Sequence, residues 1–224
     1  MAELRNDQIN EALSHTRYFL EWGGMAWERQ FRYALHKILG PELGGLNVLD
    51  IGTRTGKMSC FFALLGANVT GIDITHGFAQ RAADEAARWK VSDRCNFVQY
   101  NGNLDIFKDE SFDIVFTKSV LVLVQNLDEF TSSINRILRR TAKFIFIENS
   151  KGGPLHYLRY LKHRRSWDFS QANYFTDREI ECVKKNLNVS GVRKTRYPPT
   201  YLIFGQKKPM PPAVGQNPGC PQRT

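Results

Sequence analysis

Along most of this chain, short apolar runs closed by glycine or an acid alternate with longer stretches whose apolar positions recur every three or four residues. Runs of the first kind predict strands at about 46–51, 68–73, 95–100, 112–117, 143–148, 189–196 and 201–207. The second kind predicts helices between them. One covers about 56–66, with Phe61, Phe62, Ala63, Leu64 and Leu65, and another about 76–89, with Phe78, Ala82, Ala86 and Trp89 at helical intervals. Further helices are expected over 127–140 and 177–186. Ahead of the first strand, residues 8–39 carry Ile9, Leu13, Phe31, Leu35 and Leu39 at helical spacings. Gly23-Gly24 breaks this region into two helices and Gly40-Pro41 closes the second.

Strands that alternate with helices imply an α/β fold, doubly wound, with a largely parallel sheet covered on both faces. The last two strands, joined through Pro198-Pro199, are expected to form an antiparallel edge hairpin, which brings the sheet to seven strands. Residues 1–45 then read as an N-terminal helical lid and 46–208 as the main domain. Residues 209–224, rich in Pro, Gly and Gln, read as a disordered tail. No internal repeat is visible.

The stretch Val48-Leu49-Asp50-Ile51-Gly52-Thr53-Arg54-Thr55-Gly56-Lys57 joins the first strand to its helix, and Val69-Thr70-Gly71-Ile72-Asp73-Ile74 ends the second strand on an acid. Glycines let backbone approach a ligand at the carboxyl end of the first strand, and a terminal acid accepts bonds from a ribose diol. A nucleoside cofactor is the expected ligand. The dinucleotide fingerprint G-x-G-x-x-G, counted from Gly52, needs glycine where Arg54 and Lys57 stand. The segment instead resembles motif I, D/E-x-G-x-G-x-G, of the class I S-adenosylmethionine-dependent methyltransferases of the small-molecule, methyltransferase-11/25-like type. Asp50, Gly52 and Gly56 are in place and Arg54 replaces the middle glycine. Arg54 can point to solvent, pair with the cofactor carboxylate or weaken binding. The resemblance covers about 46–208 and implies a Rossmann-like sheet, S-adenosyl-L-methionine as cofactor and methyl transfer as the activity.

Carried over residue by residue, the resemblance makes Asp73 the ribose acceptor, Ile74 a neighbour of the adenine, and Asp50, Gly52, Thr53 and Gly56 the loop at the methionine end. Asn103 stands where the family often has an aspartate that accepts from the adenine amino group. Leu104 follows it, and Lys118 lies where the chain after the fourth strand meets the methionine moiety. Tyr18, Trp22, Trp27 and Arg32 resemble a lid that closes over the cofactor, an arginine there being able to pair with its carboxylate. A basic insert at about 151–175, after the fifth strand, lies where the acceptor usually enters; its leucines Leu155, Leu158 and Leu161 make an apolar stripe. It reads as a substrate cap, as a segment resting on an anionic membrane surface, or as a contact for phosphates. His156 and Glu148 are the candidate general bases, although a sulfonium donor also permits catalysis by alignment alone.

The chain has 224 residues, 42% of them hydrophobic, enough for one well-cored domain. Its four cysteines form no C-x-x-C pair, so neither a zinc site nor a disulfide framework is expected, and no other metal cluster is visible. The start of the chain shows no signal pattern, and no apolar run approaches a membrane span, so a cytoplasmic location is expected. The net charge of +9 is uneven: residues 136–208 hold 17 Lys and Arg against 5 Asp and Glu. That asymmetry fits a surface for nucleic acid or anionic lipid as well as a solvated basic face.

Methyl transfer to an oxygen or nitrogen of a small-molecule or glycan-type metabolite is the reading these features favour. An RNA or protein methyltransferase is the alternative that the basic half supports. The segment Thr117-Lys118-Ser119-Val120 is not the Asn/Asp-Pro-Pro-aromatic tetrapeptide of base amino methylation. A cofactor-binding partner protein without catalysis is the third reading, resting on Arg54 and Asn103.

Overall fold

The computed structural model describes residues 2–21, 24–150, 175–196 and 199–209. The tail from 210, the insert from 151 to 174 with His156, and Trp22 lie outside the described residues. Seven strands form one sheet: β1 Asn47–Ile51, β2 Asn68–Asp73, β3 Cys95–Gln99, β4 Phe112–Lys118, β5 Leu138–Asn149, β6 Asn188–Arg196 and β7 Pro199–Gln206. Their order is β3-β2-β1-β4-β5-β7-β6. The first five pair in parallel, β7 runs antiparallel between β5 and β6, and β6 forms the edge.

Side chains alternate across a strand, so a continuous apolar run feeds two cores at once. Val48, Ile114, Phe116, Ile145 and Ile147 face one side, whereas Leu49, Val115, Phe144 and Phe146 face the other. The first face is covered by α1 Ala2–Ser14, α2 Thr16–Phe19, α3 Gly24–Ala34, α4 Lys57–Leu64 and α5 Phe78–Arg88. The second is covered by α6 Leu127–Ile137 and α7 Asp177–Asn186.

The N-terminal region is more than a lid. Phe31 makes edge-on contacts with Phe61, Phe62 and Phe116 at centroid separations of 5.1, 6.1 and 5.8 Å. Trp27 and Phe31 are fully buried, so α3 belongs to the layer that covers the sheet. Complete burial of one such ring stabilises by roughly 1.5–3 kcal/mol. Beyond α3 the chain makes a π-turn, Leu35–Leu39, and stops at Gly40 with φ 86°, in agreement with the expected Gly40-Pro41 terminator.

One boundary differs from expectation. The helix anticipated over 127–140 ends at Ile137, and β5 begins at once with Leu138. Leu138 pairs with Phe112, and a register shift follows between Phe112 and Ile114 before the ladder resumes at Lys143. Residues 138–142, which have no strand pattern of their own, are recruited by that pairing.

Candidate active site

A cavity of about 730 Å³ opens at the carboxyl ends of β1, β2 and β4. This is the crevice where open parallel sheets bind ligands. Its wall includes Asp50, Gly52, Thr53, Asp73, Ile74, Asn103, Leu104 and Lys118, eight of the nine residues expected to meet the cofactor. Gly56 is the ninth. It caps α4 at φ 80°, and a Cβ there would stand 2.8 Å from the Ala82 Cβ and 2.9 Å from its Cα. Its role is to let the turn pack on α5.

Gly52 works on the cavity itself. It has φ 78°, and a Cβ would come within 2.3 Å of the Val120 Cγ2. Glycine therefore brings the turns after β1 and β4 into contact across the cavity. Asp50, 2% exposed, accepts from the Ser59 hydroxyl at 2.7 Å, and Ser59 also bonds Thr53 at 2.8 Å. Burial pushes the Asp50 carboxyl up to about 6, with the hydroxyl bonds opposing the shift. Ser59 was not among the expected residues. Its signal was Gly71 on the neighbouring strand, where a Cβ would lie 2.7 Å from the Ser59 Oγ.

Asp73 ends β2 with one oxygen accepting from the Arg54 backbone N–H and the other from the Thr75 N–H, both at 2.9 Å. A carboxylate has about four acceptor sites, so two amide bonds fix its orientation and leave capacity for a diol. Ile74, beside it, is 61% exposed and lines the cavity, an apolar face suited to a flat ring. Asn103 is occupied differently from expectation: its Oδ1 accepts from the Asp105 N–H at 2.9 Å and its Nδ2 donates to the Asp105 carboxylate at 2.7 Å. The side chain caps the turn Leu104–Ile106 at the cavity margin.

Glu148 has another place than the one its candidacy as a base requires. It is fully buried and is not part of the cavity wall. Its Oε1 accepts from the Thr117 hydroxyl at 3.0 Å, Val120 N–H at 3.3 Å and Leu121 N–H at 3.2 Å, and its Oε2 from Val122 N–H at 3.4 Å. Burial raises its carboxyl to about 7 against these four donors. Glu148 thus fastens the turn that follows β4. Arg32 is likewise placed elsewhere: it bonds Glu28 at 3.0 Å and the Leu13 carbonyl at 3.1 Å, within the helical layer. Trp27 is core, and the Tyr18 hydroxyl donates to Glu85 at 2.6 Å.

Phe19 and Glu21, at the end of α2, do reach the cavity wall. The Thr55 hydroxyl donates to Glu21 at 2.6 Å, which ties this segment to the turn after β1. Three non-glycine residues with left-handed backbone, Glu21 (φ 58°), Arg54 (φ 54°) and Ser119 (φ 57°), line this one cavity. Such conformations cost of order 1–3 kcal/mol and gather at ligand clamps. Among the described residues no cluster of three His, Cys, Asp or Glu could hold a metal, and no helix is long and apolar enough to cross a membrane.

A crevice at the switch point between β1 and β4, a glycine turn drawn against it and an acid fixed by two backbone amides form one site, in a sheet with a reversed closing strand. Residues 49–146 match the methyltransferase domain family. Over 176 residues the chain is 30% identical to the demethylmenaquinone methyltransferase of Tropheryma whipplei (strain Twist), covering 73% of this chain and 68% of that protein. The chain belongs to the class I S-adenosylmethionine-dependent methyltransferases, and S-adenosylmethionine is its cofactor. It is also 26% identical over 162 residues to sterol 4-C-methyltransferase strm-1 of Caenorhabditis elegans, covering 70% of this chain. It spans 48% of that longer relative. The solved structure of the [4+2]-cyclase SpnF superposes with a TM-score of 0.65 at 14% identity, over 80% of each chain, and shows the fold alone.

The cavity fits this cofactor. Its volume lies in the roughly 300–1,000 Å³ range of small-molecule sites. Asp73 and Ile74 would hold the ribose and adenine, and Asp50, Gly52, Thr53 and Lys118, also on the wall, would meet the amino-acid group.

Proposed function

We propose that this protein transfers the methyl group of S-adenosylmethionine to a lipophilic small molecule with a polycyclic or isoprenoid body. The bound cofactor supplies an electrophilic methyl on a sulfonium. The observation that carries the reading is the Asp73 carboxylate, fixed by two backbone amides beside the exposed Ile74 and across from the Gly52 turn. The lipophilic acceptor is supported by the names of the two relatives, one for a sterol and one for a menaquinone precursor. Neither name supports a glycan. Phe19, Met58, Val120, Leu123 and Phe130 give the wall an apolar side that suits such a body.

The described residues act by position. Gly52 and Val120 close the cavity around the cofactor, Asp73 sets its ribose, and Glu148 holds the turn that carries Val120 in place. Alignment of the acceptor atom with the methyl, and exclusion of water, supply rate without a dedicated base. His156, in the insert, keeps its candidacy as a base toward the acceptor.

The test is incubation of the purified protein with methyl-labelled S-adenosylmethionine and a fractionated cell extract. Label in an organic-soluble lipid supports the reading, and mass spectrometry of that product gives the methylated atom. Label confined to RNA or protein overturns the acceptor class. Asp73→Ala is expected to weaken S-adenosylmethionine binding by about 10- to 100-fold, the loss of a charge-assisted pair of bonds; unchanged affinity would displace the ribose site.

A further inference from the structure

The chain leaving β4 turns at Ser119, whose φ of 57° is a left-handed conformation that serine takes only under constraint. Two bonds supply the constraint. The Ser119 backbone N–H donates to the Ile147 carbonyl at 2.9 Å, and its hydroxyl accepts from the Asn149 side-chain amide at 3.0 Å. Both partners belong to the end of β5, and Ser119 is on the cavity wall whereas Asn149 is not. A hydroxyl carries one proton and two lone pairs. The Asn149 N–H occupies a lone pair and leaves the proton, which no described residue accepts. Ser119 is therefore a fixed, half-buried donor on the cavity wall with its acceptor still to come. It stands in the chain between Lys118, set against the cofactor's amino-acid group, and Val120, part of the apolar side of the wall.

We propose that Ser119 determines which acceptor is methylated: its hydroxyl donates to a carbonyl or hydroxyl oxygen on the polar end of the lipophilic body, and Asn149 is the positioning residue that keeps the proton available. The inference rests on the lipophilic acceptor proposed above. Apolar contacts hold such a body by area and leave its orientation open, so a few placed polar groups fix it. A site with an unpaired donor favours a ligand that brings an oxygen to it and rejects one of the same shape that does not. Ser119 is half-buried, so the discrimination is modest, on the order of tenfold. Among lipids of similar body, those with an oxygen near the reacting atom are selected.

The test compares the full-length wild type with Ser119→Ala, Asn149→Asp and Asn149→Ala at pH 7.5. Calorimetric titration with S-adenosylhomocysteine reads the cofactor side and certifies the fold; its affinity is expected to stay within about twofold in all three variants. The acceptor side is read as the initial rate of label transfer from methyl-labelled S-adenosylmethionine to serial dilutions of a cell lipid extract in detergent micelles. At limiting lipid that rate is expected to fall by about 3- to 10-fold in Ser119→Ala, the loss of one neutral hydrogen bond. In Asn149→Asp the new carboxylate accepts the Ser119 proton and withdraws it from the cavity, so the fall should match that of Ser119→Ala. Asn149→Ala leaves the proton available and should fall less. A purely structural role for Asn149 gives the opposite order, because alanine removes the whole contact. An unchanged rate in Ser119→Ala, or a fall in Asn149→Ala as large as that in Asn149→Asp, overturns the inference and leaves the lipid acceptor standing. Loss of S-adenosylhomocysteine affinity in Ser119→Ala overturns it too and gives the hydroxyl to the cofactor. A wild type that binds S-adenosylhomocysteine and labels no lipid overturns the acceptor reading and this inference with it.

Discussion

Arg54 holds a backbone conformation that glycine adopts without penalty, φ 54° at the middle position of the turn after β1. Its contribution to the site is its backbone N–H, which donates to Asp73, and any residue supplies that group. Arg54→Gly is therefore expected to relieve left-handed strain of roughly 1–2 kcal/mol, less the entropy glycine adds to the unfolded chain. Denaturant titration should show a net gain of up to about 1 kcal/mol, with S-adenosylhomocysteine affinity unchanged within a few-fold. A loss of affinity would instead give the Arg54 side chain the cofactor contact that its sequence position allowed. Gly52 is the opposite case. Gly52→Ala puts a methyl 2.3 Å from the Val120 Cγ2 at φ 78°, and a cost of about 2–3 kcal/mol is expected from strain and overlap together. Adding Val120→Ala removes only the overlap, so the double variant should recover part of the stability and show coupling between the sites. Purely additive effects would mean that the two turns do not touch.

Glu148 shows what an element needs that a linear reading does not reveal. From the sequence it was an acid at a strand end, in the place of a base. In the fold it is the acceptor for three backbone N–H groups and one hydroxyl of the chain leaving β4. Glu148→Gln keeps an oxygen for the three donors of Oε1 and gives up the longest bond, to Val122. It should cost less than about 1 kcal/mol and retain turnover. Glu148→Ala strands the donors and should cost about 2–4 kcal/mol. Were Glu148 the base, the glutamine variant would lose about 10²-fold or more in rate with its stability intact, and a methyl-transfer assay beside a melting curve separates the two.

The strands, the helices on both faces of the sheet and the closing antiparallel hairpin were legible because each strand carries its own apolar run. The start of β5 was not, because Ile134, Ile137 and Leu138 keep helical spacing, and only pairing with Phe112 turns the chain at Leu138. The cavity wall after β1 and β2 was legible in its glycines and acids, whose spacing is local. The Asp50–Ser59–Gly71 contact, the clasp between Glu21 and Thr55 and the burial of Glu148 join residues from separate elements, and no local pattern encodes them.

At the scale of the whole molecule, the buried ionisable groups around the cavity set a pH profile for stability. Asp50 and Glu148 have folded-state pKa values raised to about 6 and about 7. Between their unfolded values near 4 and these folded values, the native state binds more protons than the unfolded one. Their contribution to stability is thus whole below about pH 4 and lost as the pH rises to about 7, with a slope of at most about 1.4 kcal/mol per pH unit for each proton. Lys118, lowered to about 8 from 10.5, acts in the other direction. Between pH 8 and 10.5 the native state binds fewer protons, and the cost of holding a buried cation disappears as the pH rises. The three groups together place a minimum in their shared contribution between about pH 7 and 8, where the cofactor-free protein bears two buried carboxylates and one buried ammonium. Other titrating groups overlie this profile, so the measurement is a difference. Urea unfolding of wild type, Glu148→Gln and Lys118→Met is compared at pH 5, 7.5 and 10 at fixed ionic strength. Relative to wild type, Glu148→Gln should gain stability from pH 5 to 7.5, and Lys118→Met should lose its relative advantage from pH 7.5 to 10. A constant offset across all three pH values for both variants would mean that these groups keep ordinary titration in the fold and that the cavity end is more open to water than its packing indicates.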